Sequence, residues 1–427
     1  MTISAGSDQQ KIFDSEDKLF ELSCINPIGV MINSTMHFME APLPVLIKMY
    51  RESVPNFTTV ESASEHFLCY LDEFVRASPG RIEDSAILAE TRSLVDLISK
   101  RARDNFNARF FEPDGTTVRP EYLVDAEALK AKIAELMRDA HDRQLRLFDR
   151  VYADLPDAEF IGDGEPEFTN DQRAQVSALI ATLLPQATED QRTRTLQMLE
   201  RAMRKVTVFG QSTGLVLAGY GSQELFPTLI NFNLMGSFGG RLRYRRLESV
   251  DIDRDGVKAA VLPFAQREMV ERFLYGLDKS IEQQIRTESR DAVTQISEHI
   301  LSALDMPEDE LQELRDTTKQ AEAEFASGMD ATFEAIRADS RSEIEDMVEF
   351  MPKPEMARMA EALVNLTSLK RRVSRGFETV GGPIDVAVIS RSEGFVWVSR
   401  KHYFPKELNG RYFARMRPAA MPGGEQE

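Results

Sequence analysis

Hydrophobic positions along this chain follow two periods. In Gly376–Tyr403, Ile384, Val386 and Val388 alternate with Asp385, Ala387 and Ile389, the two-residue period of a strand with one buried face. Ser392-Glu393-Gly394 has hairpin chemistry, and Phe395-Val396-Trp397-Val398 resumes the alternation with residues that suit a pleated surface. Before Gly381-Gly382, apolar residues at Met356, Met359, Ala360, Leu363, Val364, Leu366 and Leu369 follow helical spacing. The pattern predicts a helix, a glycine turn and a strand hairpin. Two further short apolar runs, Lys18–Ser23 and Ile28–Ile32, flank Asn26-Pro27, which marks a turn. Leu215–Tyr220, Leu229–Gly236 and Arg241–Arg246, with glycines between them, predict a meander.

Helical spacing fills the rest. Pro42 and Pro44 bracket one helix start, and Thr58/Thr59 followed by Glu61/Ser62 caps another. Periodicity continues through Ile87–Arg109, Leu123–Val151, Gln172–Leu184 and Gln191–Arg204, with a Gly/Pro/acid loop at Phe160–Thr169. From Phe264 to Glu349 two apolar stripes are separated at Pro307, where proline removes a backbone donor and ends a helix; this predicts a long helical hairpin. The resulting segments are 1–83, first part of a mixed core; 84–205, a helical insertion; 206–264, the meander; 265–352, the helical hairpin; 353–415, the last helix and strands; and 416–427, a tail. An integral helical layer at 84–205 is the competing reading.

Composition narrows the function classes. The 427 residues are 42% hydrophobic, ample for a core. The net charge of −18 argues against a general nucleic-acid surface, which needs clustered Lys and Arg. The basic run Arg241–Arg246 reads as a solvated strand or helix end, as does Lys370-Arg371-Arg372. Two cysteines, Cys24 and Cys69, show no pairing pattern and suit a reducing compartment. No apolar run reaches the roughly 18 residues of a membrane span, and the N-terminus lacks the order of a signal peptide. The cytoplasm is the expected location, with no membrane or nucleic-acid partner. His37, His66, His141, His299 and His402 have no metal-ligand spacing, and no nucleotide cradle or nucleophile elbow appears. No metal or cofactor is expected. Asp251–Gly256 (DIDRDG) has Leu262 where a calcium loop needs its twelfth ligand, and reads as a hairpin turn.

The order of the pieces, hairpin, two helices, meander, helices, double glycine, hairpin, resembles the proteasome β-subunit type of N-terminal-nucleophile hydrolase. Lys18–Leu22, Asn26-Pro27 and Gly29–Asn33 are similar to that family's strand pair, and Val380-Gly381-Gly382 to its Ser-Gly-Gly turn. The likeness covers about half the chain. It implies an α+β, four-layer αββα sandwich with long helical insertions, a homo-oligomer and a peptide or protein substrate. In that chemistry a Thr, Ser or Cys at a free N-terminus attacks a carbonyl, with its own amine as base and a lysine lowering its pKa. The resemblance implies Lys18 as the catalytic lysine and the Asn33 backbone N–H as oxyanion donor. Phe377 and Val380 stand where catalytic members carry Asp and Ser. Thr2-Ile3-Ser4 matches the part just after the family's aspartate, which places Met1 inside the reading frame. An upstream strand of roughly twenty residues, beginning at the nucleophile, is the expectation from strand and turn lengths. The chain as it stands is then expected to be inactive as a peptidase. A non-catalytic relative used for assembly, and an unrelated α+β binding protein, are the rival readings.

Overall fold

A computed structural model describes residues 2–5, 10–13, 17–122, 125–206, 212–252, 257–276, 278–304, 306–373, 382–402, 404–411 and 414. The chain is mixed α+β and divides into two compact units. One comprises Lys18–Glu224 and Thr228–Ser249; the other comprises Met1–Asp17, Leu225–Pro227 and Val250–Glu427. Strands β1 (Thr2–Ala5) and β2 (Gln10–Phe13) pair antiparallel in the latter.

The first unit opens with β3 (Leu19–Ser23) and β4 (Ile28–Ser34), paired antiparallel. Their turn is held from within. Ser23 Oγ accepts from the Ile25 and Asn26 amides, and buried Asn26 donates to the Phe57 carbonyl (3.1 Å) and accepts from the Phe57 amide (2.8 Å). A two-residue hairpin follows, β5 (His37–Phe38) and β6 (Ala41–Pro42), turning through Met39 and Glu40 at positive φ, as type I′ turns require. Helix α1 (Leu43–Arg51) starts with Pro44 in its first turn. Helix α2 (Val60–Ala77) has the capping box Thr59/Ser62 that the sequence indicates.

Four helices come next: α3 (Gly80–Phe110), α4 (Ala126–Asp154), α5 (Asn170–Leu183) and α6 (Glu189–Met203). The short strand β7 (Glu159–Phe160) lies between α4 and α5, where the sequence reads as loop. Then come β8 (Thr213–Gly219), β9 (Thr228–Phe238) and β10 (Arg241–Asp251). The six-stranded sheet has order β3-β4-β8-β9-β10-β7, with antiparallel pairing at each pair whose register is defined. One face packs Phe20, Leu22, Val30, Ile32, Leu215, Leu217, Ile230 and Phe232 against α1 and α2. The opposite parity also holds buried groups, Val216 and Asn231. Helices α3–α6 gather around a second cluster that includes Ile98, Phe148, Val176 and Leu199 and takes Phe238 from β9.

The basic run at 241–246 is a strand tied down by acids, not a solvated one. Arg243 is 1% exposed and pairs with Glu90, Arg245 pairs with Glu159, and Arg246 is bidentate on Glu61. Three guanidiniums thus fix β10 to α3, β7 and α2.

In the second unit, α7 (Glu268–Tyr275), α8 (Lys279–Ala303), α9 (Glu308–Glu349) and α10 (Lys353–Val373) follow one another. Pro307 sits at the α9 N-cap, so the break falls where proline dictates. Thr294 bonds Glu322, and buried Glu282 accepts from Arg286 and from Arg337; partners in reversed order make α8 and α9 antiparallel. Val270, Leu274 and Leu363 form a small core. Strands β11 (Val386–Ser390) and β12 (Gly394–Ser399) make a hairpin that turns into Gly394 at φ 75°.

The three strand runs therefore do not share one core. Runs 18–32 and 215–246 lie in the six-stranded sheet, whereas 384–400 forms a two-stranded sheet in the other unit. In Phe395–Val398 the alternation gives a half-buried face, Phe395 and Trp397, and an exposed one, Val396 and Val398; among the described residues β12 has β11 alone as ladder partner. The expectations for Gly376–Gly381, Tyr403, Asp253–Gly256 and 416–427 lie outside the described residues.

Candidate functional site

Backbone geometry brings Lys18 and Asn33 to one end of the sheet. The Ile32 amide donates to the Lys18 carbonyl at 2.7 Å, one step beyond the Leu19–Met31 register pair. Asn33 is the next residue on the neighbouring strand, and both are half-buried. Asn33 faces Gly214 of β8, and Gly214 faces Asn233 of β9, so an Asn-Gly-Asn row crosses three strands. Glycine is required in its middle. A Cβ at position 214 would fall under 3.0 Å from Oδ1, Cγ and Nδ2 of Asn33, whose side chain lies across that backbone.

β4 ends by leaving the extended region. Ser34 adopts φ 66°, the left-handed conformation that costs a residue with a Cβ on the order of 1 kcal/mol. Its hydroxyl donates to Asn33 Oδ1 at 3.4 Å. The Thr35 and Thr213 hydroxyls meet each other, and both reach the His37 carbonyl, at 3.3 and 3.1 Å. The polar end of the β4–β8 ladder thus holds three hydroxyls and two side-chain amides. Reasoning on the sequence singles out Lys18 and Asn33 and misses Ser34, Thr35, Thr213 and Asn233. The run Asn33-Ser34-Thr35 after an apolar alternation is the one signal available; Thr213 and Asn233 arrive by long-range pairing that leaves no local trace.

The hydroxyl protons go to Asn33 Oδ1 and the His37 carbonyl, and the side-chain amides of Asn33 and Asn233 are the donors that suit a carbonyl or oxyanion. His37 offers its carbonyl to the hydroxyls, while its side chain is exposed. His66 is engaged elsewhere, with its Nδ1 on Tyr50 Oη at 2.9 Å. Burial, with Glu21 second, pushes the Cys24 thiol up, and burial, with Asp72 second, does the same to Cys69. Neither cysteine is an activated thiolate. Beside the site, Glu21 pairs with Arg51 at 3.7 Å. Phe377 and Val380 lie outside the described residues; Thr2 is described only by its pairing with Phe13. Among the described residues, no three of His, Cys, Asp and Glu are grouped to hold a metal ion. Comparison of the chain with protein-family models, curated proteins and solved structures gives no match.

Proposed function

We propose that this chain is a relative of the proteasome β-type N-terminal-nucleophile hydrolases, with the β3–β4 end supplying the lysine and backbone-donor half of an amide-hydrolysing centre. The observation that supports the reading is the Ile32-to-Lys18 bond, which brings Lys18 to the same end of the sheet as Asn33, one residue further along β4. In this reading the Lys18 ammonium lowers the pKa of a Thr, Ser or Cys whose own α-amine is the base, and the Asn33 N–H holds the oxyanion. The substrate is a peptide or protein amide, and the working form is a cytoplasmic homo-oligomer. No residue of 1–427 is assigned as nucleophile. The four-layer sandwich is the finer architectural part. It requires a second sheet over the face that bears Val216 and Asn231, both buried although they point away from α1 and α2.

A non-catalytic assembly role is the second reading. It is favoured by exposed Ile296, Ile300 and Met347 on α8 and α9, apolar side chains that a partner surface would cover. A peptidase assay separates the two. The protein purified from its native source should cleave peptide amides, and Lys18→Ala should lower kcat at least about a hundredfold in a variant whose circular dichroism shows it folded. A native protein with no amidase activity, or one indifferent to Lys18→Ala, would leave assembly as the function.

A further inference from the structure

Helices α3–α6 enclose a cavity of about 470 Å³, within the range of small-molecule sites. Ala102 of α3, Ile133, Ala134 and Met137 of α4, and Leu184 after α5 give it apolar walls. Its charged lining is all of one sign: Arg103, Lys130 and Arg138, with no acidic residue. None of these three side chains makes an ion pair or hydrogen bond to a described residue. Their neighbours on the same bundle do. Arg109 and Arg143 share Asp139, Arg194 takes Asp142, and Arg201 takes Asp149. All three side chains are exposed, so water serves them in the free chain, and they stand where the charged head of a ligand with its apolar part in the cavity would meet them. His141 lines the same cavity, and its Nε2 is buried without a hydrogen-bond partner.

We infer that this cavity binds a small amphipathic carboxylate, its hydrocarbon part among Ala102, Ile133, Ala134, Met137 and Leu184 and its carboxylate on the unpaired cations. Lys130 and Arg138 stand eight residues apart on α4, roughly 12 Å at 1.5 Å per residue, so one head group meets one of them together with Arg103. A hydrocarbon acid fits this lining better than a phosphate, because most of the wall is apolar and would strand a multiply charged, strongly hydrated anion.

The test is calorimetric titration of the whole chain with decanoate, decanol and decylamine. Decanoate should bind saturably at one site. Decanol should bind at least about tenfold more weakly, because it forgoes a charge-assisted hydrogen bond, and decylamine should not bind measurably. Arg103→Gln, Lys130→Gln and Arg138→Gln, made singly, should identify one or two cations whose loss weakens decanoate at least about tenfold without changing decanol. Ala134→Trp should fill the cavity and abolish binding of both, with the circular dichroism melt confirming that it folds. Equal binding of the acid and the amine would overturn the proposal. So would a saturable decanoate site untouched by Ala134→Trp, or no decanoate binding to the folded chain.

Discussion

The Asn33–Gly214 contact can be broken and restored. Gly214 lies in extended backbone, outside the left-handed region, so alanine meets no backbone strain there. The whole cost of Gly214→Ala then comes from the Asn33 side chain, three atoms of which occupy the space of the new methyl. Asn33 must leave its rotamer, at about 0.5–1.5 kcal/mol, or β4 must shift, and overpacking of this kind costs about 1–3 kcal/mol. Asn33→Ala alone gives up only the long 3.4 Å bond from Ser34, so it should cost under about 1 kcal/mol. In the double variant the clash is gone, while the gain of about 0.4–1 kcal/mol from a narrowed unfolded ensemble is common to both proteins with alanine at 214 and cancels. The double variant should therefore be more stable than Gly214→Ala by the relieved clash less the Asn33→Ala cost, about 0.5–2.5 kcal/mol. Urea unfolding of the four proteins, followed by circular dichroism and by exchange of the β4 and β8 amides, reads this coupling directly. Additivity within about 0.5 kcal/mol would mean that Asn33 does not lie over Gly214, and the geometry assigned to the oxyanion end would fall with it.

Asn26→Ala removes two bonds to the Phe57 backbone and leaves the Phe57 amide unpaired, while the Phe57 carbonyl keeps the Ser222 amide at 2.9 Å. It should cost about 1–3 kcal/mol, seen as a lowered midpoint in denaturant melts. His141 gives a pH dependence. Burial, the largest cause, and then Arg194 lower its pKa below the ordinary 6.5, while Asp142 opposes them. The unfolded chain takes up that proton first as pH falls, so stability should decline below about pH 6.5 until the folded pKa is reached. His141→Gln should flatten that part of a stability-versus-pH curve. Glu282→Gln, which weakens the acceptor shared by Arg286 and Arg337, should accelerate amide exchange in α8 and α9 while leaving the β3–β4–β8 sheet unchanged.

What the sequence makes legible here is local. The Thr59 cap, the Pro44 helix start, the turn at Asn26-Pro27 and the break at Pro307 each follow from the chemistry of one or two residues, and each appears in the structure. Lys18 and Asn33 are legible as a pair because only a short hairpin separates them. The partnership of β4 with β8 is a different matter, since it joins residues about 180 positions apart through pairing that any alternating strand could offer. Arg243 shows the same limit. In a run of four arginines nothing marks it as the buried one; its burial follows from Glu90, on a helix 153 residues earlier. The alternation of Phe395–Val398 is the converse case, a pattern that suits a buried face on a strand whose described neighbours leave that face half-buried.

The most direct measurement of the hydrolase reading is chemical. The protein purified from its native source is treated with a peptide vinyl sulfone, digested and mapped by mass spectrometry, beside a folded Lys18→Ala variant. The account predicts one adduct, on an N-terminal Thr, Ser or Cys, that disappears in Lys18→Ala because the nucleophile's pKa is no longer lowered. An unlabelled N-terminal residue, or an adduct that persists in Lys18→Ala, would contradict it.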